Sequence, residues 1–289
     1  MEVHLITLLF FRSRSLRVSL GCFTLLLMSF GPVMAQTTPD PNSGALSVIT
    51  GVDVPSVYFF RGIRQETEPK FTMFPYADGG IALFSGSGAI KSASLNFGVW
   101  NSLHTGSSGS DGPGQIHYEE DFYSTLTLGF ARGITLGTTF TAYTSPNQIF
   151  NTVQEISFRV ASATRFAPYG LVAFELSGQA DAGTNEGTYA EFGIAPSWPL
   201  AGSPVSLAIP VKVGLSLNDY YENASGDEKF GYLDVGALVT VPITKIPSRF
   251  GSWNVHGGAN FMRFGETTKL ANKGDAGQVI VSGGIGMSY

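Results

Sequence analysis

Asn254 and His256 stand two residues apart, the spacing that puts both side chains on one face of an extended strand. An imidazole beside a polar group can act as a general base if a nucleophile and an orienting group come within hydrogen-bond reach. Serines on other segments are available, so hydrolysis of an ester is one chemistry the pair admits. Two polar residues at this spacing are also ordinary on the inward face of a polar-lined sheet, and the sequence is read here without a catalytic residue. His104 and His117 flank one connection, and as two candidate ligands they are too few for a structural metal site. The acidic run "DYYENASGDEK" (219–229) lacks the ligand spacing of a calcium loop. The glycines of "SGSG" and "SGGIG" lack the strand-to-helix context of a phosphate loop. No cofactor is expected.

Other ionisable side chains recur on the polar face of alternating segments. Arg159, Glu175, Glu191, Lys212 and Asp234 fall there, with Glu155 on the face of Arg159 and His256 further along. Antiparallel partners across one connection have a nearly constant index sum. That rule sets Glu191 beside Lys212, Arg159 near Glu175, Glu175 beside Glu191, and Lys212 beside Asp234. The result is a belt of charge on one wall. Ser92, Ser94, Asn96, Thr125, Thr127, Thr135, Thr139 and Thr141 form a wall of small polar groups opposite. Inward acids (Glu119, Asp121, Glu155, Glu175, Glu191, Asp234) outnumber inward bases (Arg61, Arg159, Lys212). In an open lumen this imbalance favours cations weakly. Fully paired, the same charges would close the lumen as a salt-bridge network.

These side chains need a scaffold with period-two geometry throughout, and the sequence supplies it. In the run 205–218, Val205, Leu207, Ile209, Val211, Val213, Leu215 and Leu217 share one face, and Ser206, Lys212, Gly214 and Ser216 share the other. Twelve such segments are legible: 45–63, 71–84, 90–101, 117–130, 134–143, 152–162, 169–177, 188–198, 205–218, 230–241, 252–264 and 278–289. Short connections such as "SGSGA" and "ARG" alternate with mostly longer polar ones such as "HTGSSGSDGPGQI" and "GETTKLANKGDAG". An up-and-down meander has tight turns at one end and loops at the other. Charged residues are only 13% of the chain, against about 25% in soluble domains. A low-charge face at every second residue suits hydrocarbon, where a sheet must close on itself because no water pairs its edges. The fold class expected is all-β: a transmembrane antiparallel up-and-down β-barrel of twelve strands. Phe130, Tyr169, Tyr189, Trp198, Phe230, Trp253, Phe264 and Tyr289 lie near segment ends, where an interfacial girdle belongs. The spacing Ser282-x-Gly284-x-x-Met287-x-Tyr289 is similar to the C-terminal assembly signal of outer-membrane barrels, which implies the barrel-assembly machinery as a partner.

The front of the chain fixes the expected compartment. Arg12, Arg14 and Arg17 precede an apolar run (18–30) and the small-residue site "GPVMA". This reads as a secretory signal over 1–35, cleaved after Ala35, then a periplasmic tail over 36–44 and the barrel over 45–289. Cys22 is the one cysteine and lies within the signal. Losing Glu2 and three arginines takes the net charge from −5 to −7, which argues against a nucleic-acid partner. The expected location is the outer membrane of a Gram-negative bacterium, among lipid and lipopolysaccharide.

One stretch carries a family resemblance. "SVYFFRGIRQ" (56–65) resembles the S-x-Y-x-F-R-G-x-x-Q signature of the TorF-type porin family, and "LNFGVWNSL" (95–103) is similar to the small-x-Gly-x-Trp stretch that follows it there. The motifs cover some 20 residues; Arg64 and Leu103 depart from the common types. The resemblance implies a porin-like barrel and names no cargo. Together with the lumen charges it gives the functional expectation: passive diffusion of small polar solutes or ions, with weak cation preference. The alternative is a non-conducting structural or surface-binding barrel with a closed lumen.

Overall fold

The computed structural model describes residues 9–10, 27–28, 44–66, 70–105, 116–180 and 183–289. The expected signal and tail lie outside these residues, apart from Gly44 and a two-residue parallel pairing of Leu9–Phe10 with Leu27–Met28. Twelve strands form one antiparallel sheet: β1 (Leu46–Pro55), β2 (Thr72–Ser85), β3 (Ile90–His104), β4 (His117–Phe130), β5 (Ile134–Thr144), β6 (Val153–Ser162), β7 (Tyr169–Ser177), β8 (Thr188–Ile194, resuming at Ser197–Pro199), β9 (Ser206–Ala208, resuming at Val211–Asn218), β10 (Phe230–Pro242), β11 (Ser252–Phe264) and β12 (Gly277–Ser288). Each pairs with its sequence neighbour, and β12 pairs with β1 in the register Ser282↔Pro55 to Ser288↔Ile49. The sheet therefore closes without an edge. Closure is completed by reciprocal bonds between Val48 and Tyr289, N–H to carbonyl at 2.9 and 2.8 Å.

The alternation has the consequence the sequence implies. Val48 and Val54 (β1), Ile81 (β2), Phe97 (β3), Phe122 and Leu126 (β4), Phe140 (β5), Phe158 and Val160 (β6), Phe174 (β7), Phe192 (β8), Leu217 (β9), Val235 and Val239 (β10), Phe261 (β11), and Val279 and Val281 (β12) are all exposed. They surround the barrel as one apolar belt. No soluble protein leaves an apolar surface of that extent uncovered, and closed barrels are the one sheet that hydrocarbon tolerates. The fold is a transmembrane β-barrel.

Two departures from the expected strands have clear causes. The run 205–218 is broken at Ile209 and Pro210, because proline has no N–H for the ladder. The strand is carried past the break by Ile209 N–H donating to Pro196 and Gly236 N–H donating to the Pro210 carbonyl, at 3.0 and 2.8 Å. The first strand ends at Pro55 and does not run to 63. From Ser56 the chain leaves the wall and turns into the barrel, forming a small hairpin that pairs Phe59–Phe60 with Ile63–Arg64. At the same end, the β11–β12 connection carries the helix α1 (Glu266–Ala271).

Candidate functional site: the inward-folded mouth and the lumen wall

The hairpin that follows β1 fills the loop end of the lumen. Val57, Tyr58, Phe59, Phe60 and Arg61 are all buried. Tyr58 packs against Phe74 (5.0 Å between ring centroids), Trp100 (5.5 Å), His104 (5.9 Å) and Tyr118 (6.3 Å), so one ring reaches β2, β3 and β4. Phe60 meets Tyr143 on β5, and Phe59 stacks on Phe264 on β11. Alternation with an inward Arg61 would put Phe60 toward lipid; it points inward because the backbone no longer belongs to the wall.

Arg61 is the hub of this plug. Its two terminal nitrogens donate to Glu155 on β6 at 2.7 and 2.9 Å, a bidentate pair. One of them also donates to Tyr220 at 3.0 Å, and the guanidinium lies 4.1 Å over the Tyr189 ring. Arg61 holds a positive φ of 44°, followed by Gly62 at 84°. A Cβ at Gly62 would press on the Tyr232 ring at 2.9 Å, so both conformation and space call for glycine there. The β9–β10 and β11–β12 connections hold the turn from above. Tyr221 donates to the Arg61 carbonyl (2.9 Å), Asn272 Nδ2 donates to the Gly62 carbonyl (2.7 Å), and Arg64 N–H donates to Asn272 Oδ1 (2.8 Å). Arg61 thus sits in the lumen as the sequence suggests, but on a folded-in loop.

A second polar group anchors the far side of the plug. Glu66 accepts from the Thr72 hydroxyl at 2.6 Å and lies 3.5 Å from His104 Nε2. Burial pushes the Glu66 carboxyl above its ordinary value of 4.5, with the Thr72 hydroxyl pulling the other way. Ser102 also bonds to His104 Nε2, while His104 Nδ1 has no partner. A nucleophile–base–orienter relay needs the two ring nitrogens engaged in turn; here both partners address the same one.

Below the plug, the wall charges resolve into separate groups instead of one belt. Glu191 accepts from Tyr169, from Tyr189 (2.8 Å) and from Tyr232 (2.7 Å), and Lys212 Nζ lies 3.6 Å away. Lys212 and Glu191 are therefore neighbours, though diagonal: the register is Glu191↔Gly214 and Gly193↔Lys212. Lys212 is the direct register partner of Asp234, which also accepts from Asn260 Nδ2 at 3.0 Å. Arg159 and Glu175 do not meet. Arg159 faces Leu171 and stacks 4.1 Å over Tyr169, and Glu175 faces Glu155. Glu175 and Glu191 are also apart, because the register sets Glu191 opposite Leu171; Glu175 instead accepts from the backbone N–H groups of Ala180 (2.7 Å) and Gly187 (2.6 Å) in the β7–β8 connection. The wall of small polar groups faces inward, with Thr125 bonded to Thr139 at 2.8 Å. Of the expected girdle, Tyr169, Tyr189 and Phe264 instead line the interior.

His256 is held on both nitrogens. Its Nδ1 is 3.0 Å from Asn254 Oδ1, and its Nε2 is 2.6 Å from Asp53 Oδ1. Asp53 and Asp78 are inward acids that the segment reading passed over; Asp78 accepts from Asn96 Nδ2 at 2.6 Å. Both sit at alternate positions with the inward residues of β1 and β2, and that parity was the available signal. In the C-terminal strand, Ser282, Gly284 and Gly286 alternate with the exposed Val281, Ile285 and Tyr289, while Met287 lies on the outward side.

Fold and lumen together define a closed transmembrane barrel whose mouth is occupied by its own first loop. No family description and no curated protein matches the chain. Among solved structures it is similar to outer membrane phospholipase A from Escherichia coli (11% identity, 87% of this chain, 94% of that chain, TM-score 0.43). It is likewise similar to the NanC porin (12%, 85%, 99%, TM-score 0.39) and to Salmonella typhi OmpF in a complex with daunomycin (7%, 84%, 97%, TM-score 0.40). These likenesses concern architecture; the barrel itself rests on the strand closure and the apolar belt described above.

Proposed function

We infer that the protein is a porin-like channel of the bacterial outer membrane, passing small polar solutes or ions with a weak preference for cations. The observation that carries this reading is the composition of the lumen wall. Asp53, Asp78, Glu119, Asp121, Glu155, Glu175, Glu191 and Asp234 face inward, against Arg61, Arg159 and Lys212. Arg61 is neutralised by Glu155, so the uncompensated charge is negative. Charged rings of one sign set the ion preference of a pore. The inward hairpin supports the same reading as a constriction, which restricts passage to small solutes. It is also the stretch that resembles the TorF-type porins. No enzymatic role is assigned, since the two groups on the His256 ring, Asn254 Oδ1 and Asp53 Oδ1, include no hydroxyl or thiol nucleophile. Lipid and lipopolysaccharide outside, and the assembly machinery acting on Ser282, Gly284, Met287 and Tyr289, are the partners that go with this location.

A second reading has its own observation. The bidentate Arg61–Glu155 pair and the packed aromatics of the hairpin are what a permanently closed lumen would contain. Reconstitution into planar bilayers separates the two. The channel reading expects discrete conductance steps and, in a potassium chloride gradient, a reversal potential of the sign set by cation permeation. Silence in the bilayer, or an anion-selective reversal potential, overturns it.

A further inference from the structure

The short connections carry charge of one sign. Lys91, Arg132, Arg165, Lys245 and Arg249 lie in or beside the β2–β3, β4–β5, β6–β7 and β10–β11 turns. The runs 83–93, 128–137, 161–171, 194–210 and 240–254, which cover the short turns, contain no aspartate or glutamate. The long connections differ. Acids and bases are mixed there and meet: Lys229 with Asp227 at 2.6 Å, Arg64 with Asp275 at 3.4 Å, Lys269 with Glu266 at 3.8 Å. At the turn end, Lys91 Nζ donates back to the Ser87 carbonyl at 2.5 Å. Arg132, Arg165, Lys245 and Arg249 are exposed, and among the described residues none of the four has a carboxylate partner. A rim with charge of one sign attracts anions.

The apolar belt says which anion is at hand. Leu83, Phe84, Ile134, Phe166 and Phe250 are exposed at this same end, so the belt runs down to the turns and lipid runs with it. Phe166 follows Arg165 directly. Phe250 follows Arg249, whose guanidinium lies 4.9 Å over the Phe250 ring. Trp253 Nε1 donates to the Phe250 carbonyl at 2.8 Å and ties that turn to β11. The turns of Arg132 and Arg165 are joined in their turn, Ala163 N–H donating to the Gly133 carbonyl at 2.9 Å. Exposed aromatic rings with cations beside them suit a membrane–water interface, with the ring toward the acyl chains and the charge among the headgroups. Lysine and arginine at that level draw anionic lipid.

We propose that the turn-end rim, through Arg132, Arg165, Lys245 and Arg249 with Phe166 and Phe250, binds the anionic headgroups of phospholipids in the leaflet that holds the tight turns. In outer-membrane barrels the short turns are periplasmic, which makes this the inner leaflet. The inference takes the membrane location from the function proposed above and nothing from conduction. A barrel that is silent in planar bilayers can still select its lipid, and a conducting one can fail to, so the two readings fail separately.

Two native tryptophans report on this rim. Trp253 alternates with the exposed Val255, and Trp198 pairs with Leu207, itself the partner of the exposed Val239, so both lie on the outward side at the turn end. Trp100 is buried in the lumen, away from acyl chains. The barrel is reconstituted in phosphatidylcholine vesicles containing either brominated phosphatidylglycerol or brominated phosphatidylcholine, and tryptophan quenching gives the relative association constant of the two lipids. Phosphatidylglycerol should be favoured by about fivefold or more, the factor that one interfacial cation supplies. Molar potassium chloride should remove most of the preference. Gln at all four positions should bring the ratio to about one, whereas Lys269→Gln with Lys273→Gln at the loop end should leave it unchanged. Heat-modifiable gel migration confirms folding. If the fourfold variant does not fold, the pairs Arg132→Gln with Arg165→Gln and Lys245→Gln with Arg249→Gln take its place, each expected to lower the ratio in part. Equal quenching by the two lipids in the parent barrel, a full preference in the fourfold variant or in both pairs, or its loss in the loop-end pair, each overturns the proposal.

Discussion

Asp53 on β1 and His256 on β11 are joined at 2.6 Å although β12 lies between their strands. They meet above Gly284, the register partner of both. A Cβ there would collide with Asp53 Oδ1 and His256 Nε2, so the glycine of the C-terminal signal is also what lets the bridge span the seam. Gly284→Ala should cost about 1–3 kcal/mol, the range for overpacking. The check is the temperature at which the barrel loses its heat-modifiable migration. Gly283→Ala, beside a roomier site, should cost clearly less; equal losses would contradict the assignment.

The Arg61–Glu155 pair makes a sharper prediction. Removing one partner of a buried ion pair leaves the other charge uncompensated and typically costs about 3–5 kcal/mol. Arg61→Met should therefore loosen the hairpin more than Arg61→Met combined with Glu155→Gln. Protease cleavage within 56–66 reports the loosening. In bilayers, Arg61→Met should raise unit conductance if the hairpin is the constriction.

The plug and the outer loops should respond to pH in opposite directions. Glu66 has a raised carboxyl, so its contribution is fullest below about 4.5 and declines as pH rises above that value. Glu222 is the reverse case. The Thr184 N–H, the Asn185 side chain and the Asn185 N–H hold its carboxyl below 4.5, so the tie between the β7–β8 and β9–β10 connections is present above that value and is lost as pH falls through the depressed one. Hydrogen exchange followed from pH 7 down to well below 4.5 should show 183–187 opening only in the acid part of that range, with Glu222→Gln open throughout. Glu66→Gln should flatten the pH dependence of exchange at 58–66.

The outward belt can be tested by charge. Arginine at Val211 or Val281 should cost about 2–4 kcal/mol, as charges facing hydrocarbon do. Thr139→Arg, on the inward face, should cost much less. Urea-driven unfolding from vesicles gives the comparison.

The walls were legible in the sequence because the two faces of each strand meet different solvents. Leu233, Val235 and Val239 cannot exchange places with Asp234 and Thr240 without moving apolar groups to water or polar groups to lipid. The plug was not legible by that rule. "VYFFRG" offers apolar residues at both parities, and an alternation reader extends the strand through it. The inconsistency was present all the same: an arginine beside a glycine, both at positive φ, suits a turn and not a wall. Neighbour prediction failed for a different reason. The true register sums across β6–β7 and β8–β9 differ from those inferred from turn length by two or three residues. That shift moved Arg159 from Glu175 to Leu171. A bulge between Ser102 and Leu103 similarly turned Tyr118 inward beside Glu119.

The pairing of β1 with β12 has a kinetic corollary. Val48 and Tyr289 lie about as far apart along the polymer as two bonded residues here can, so every other hairpin can zip locally before this contact is worth anything. Until it forms, the growing sheet exposes two ragged margins that oil cannot solvate. Commitment to the bilayer and completion of the ring are therefore expected to be coupled, with the final stave as the clasp.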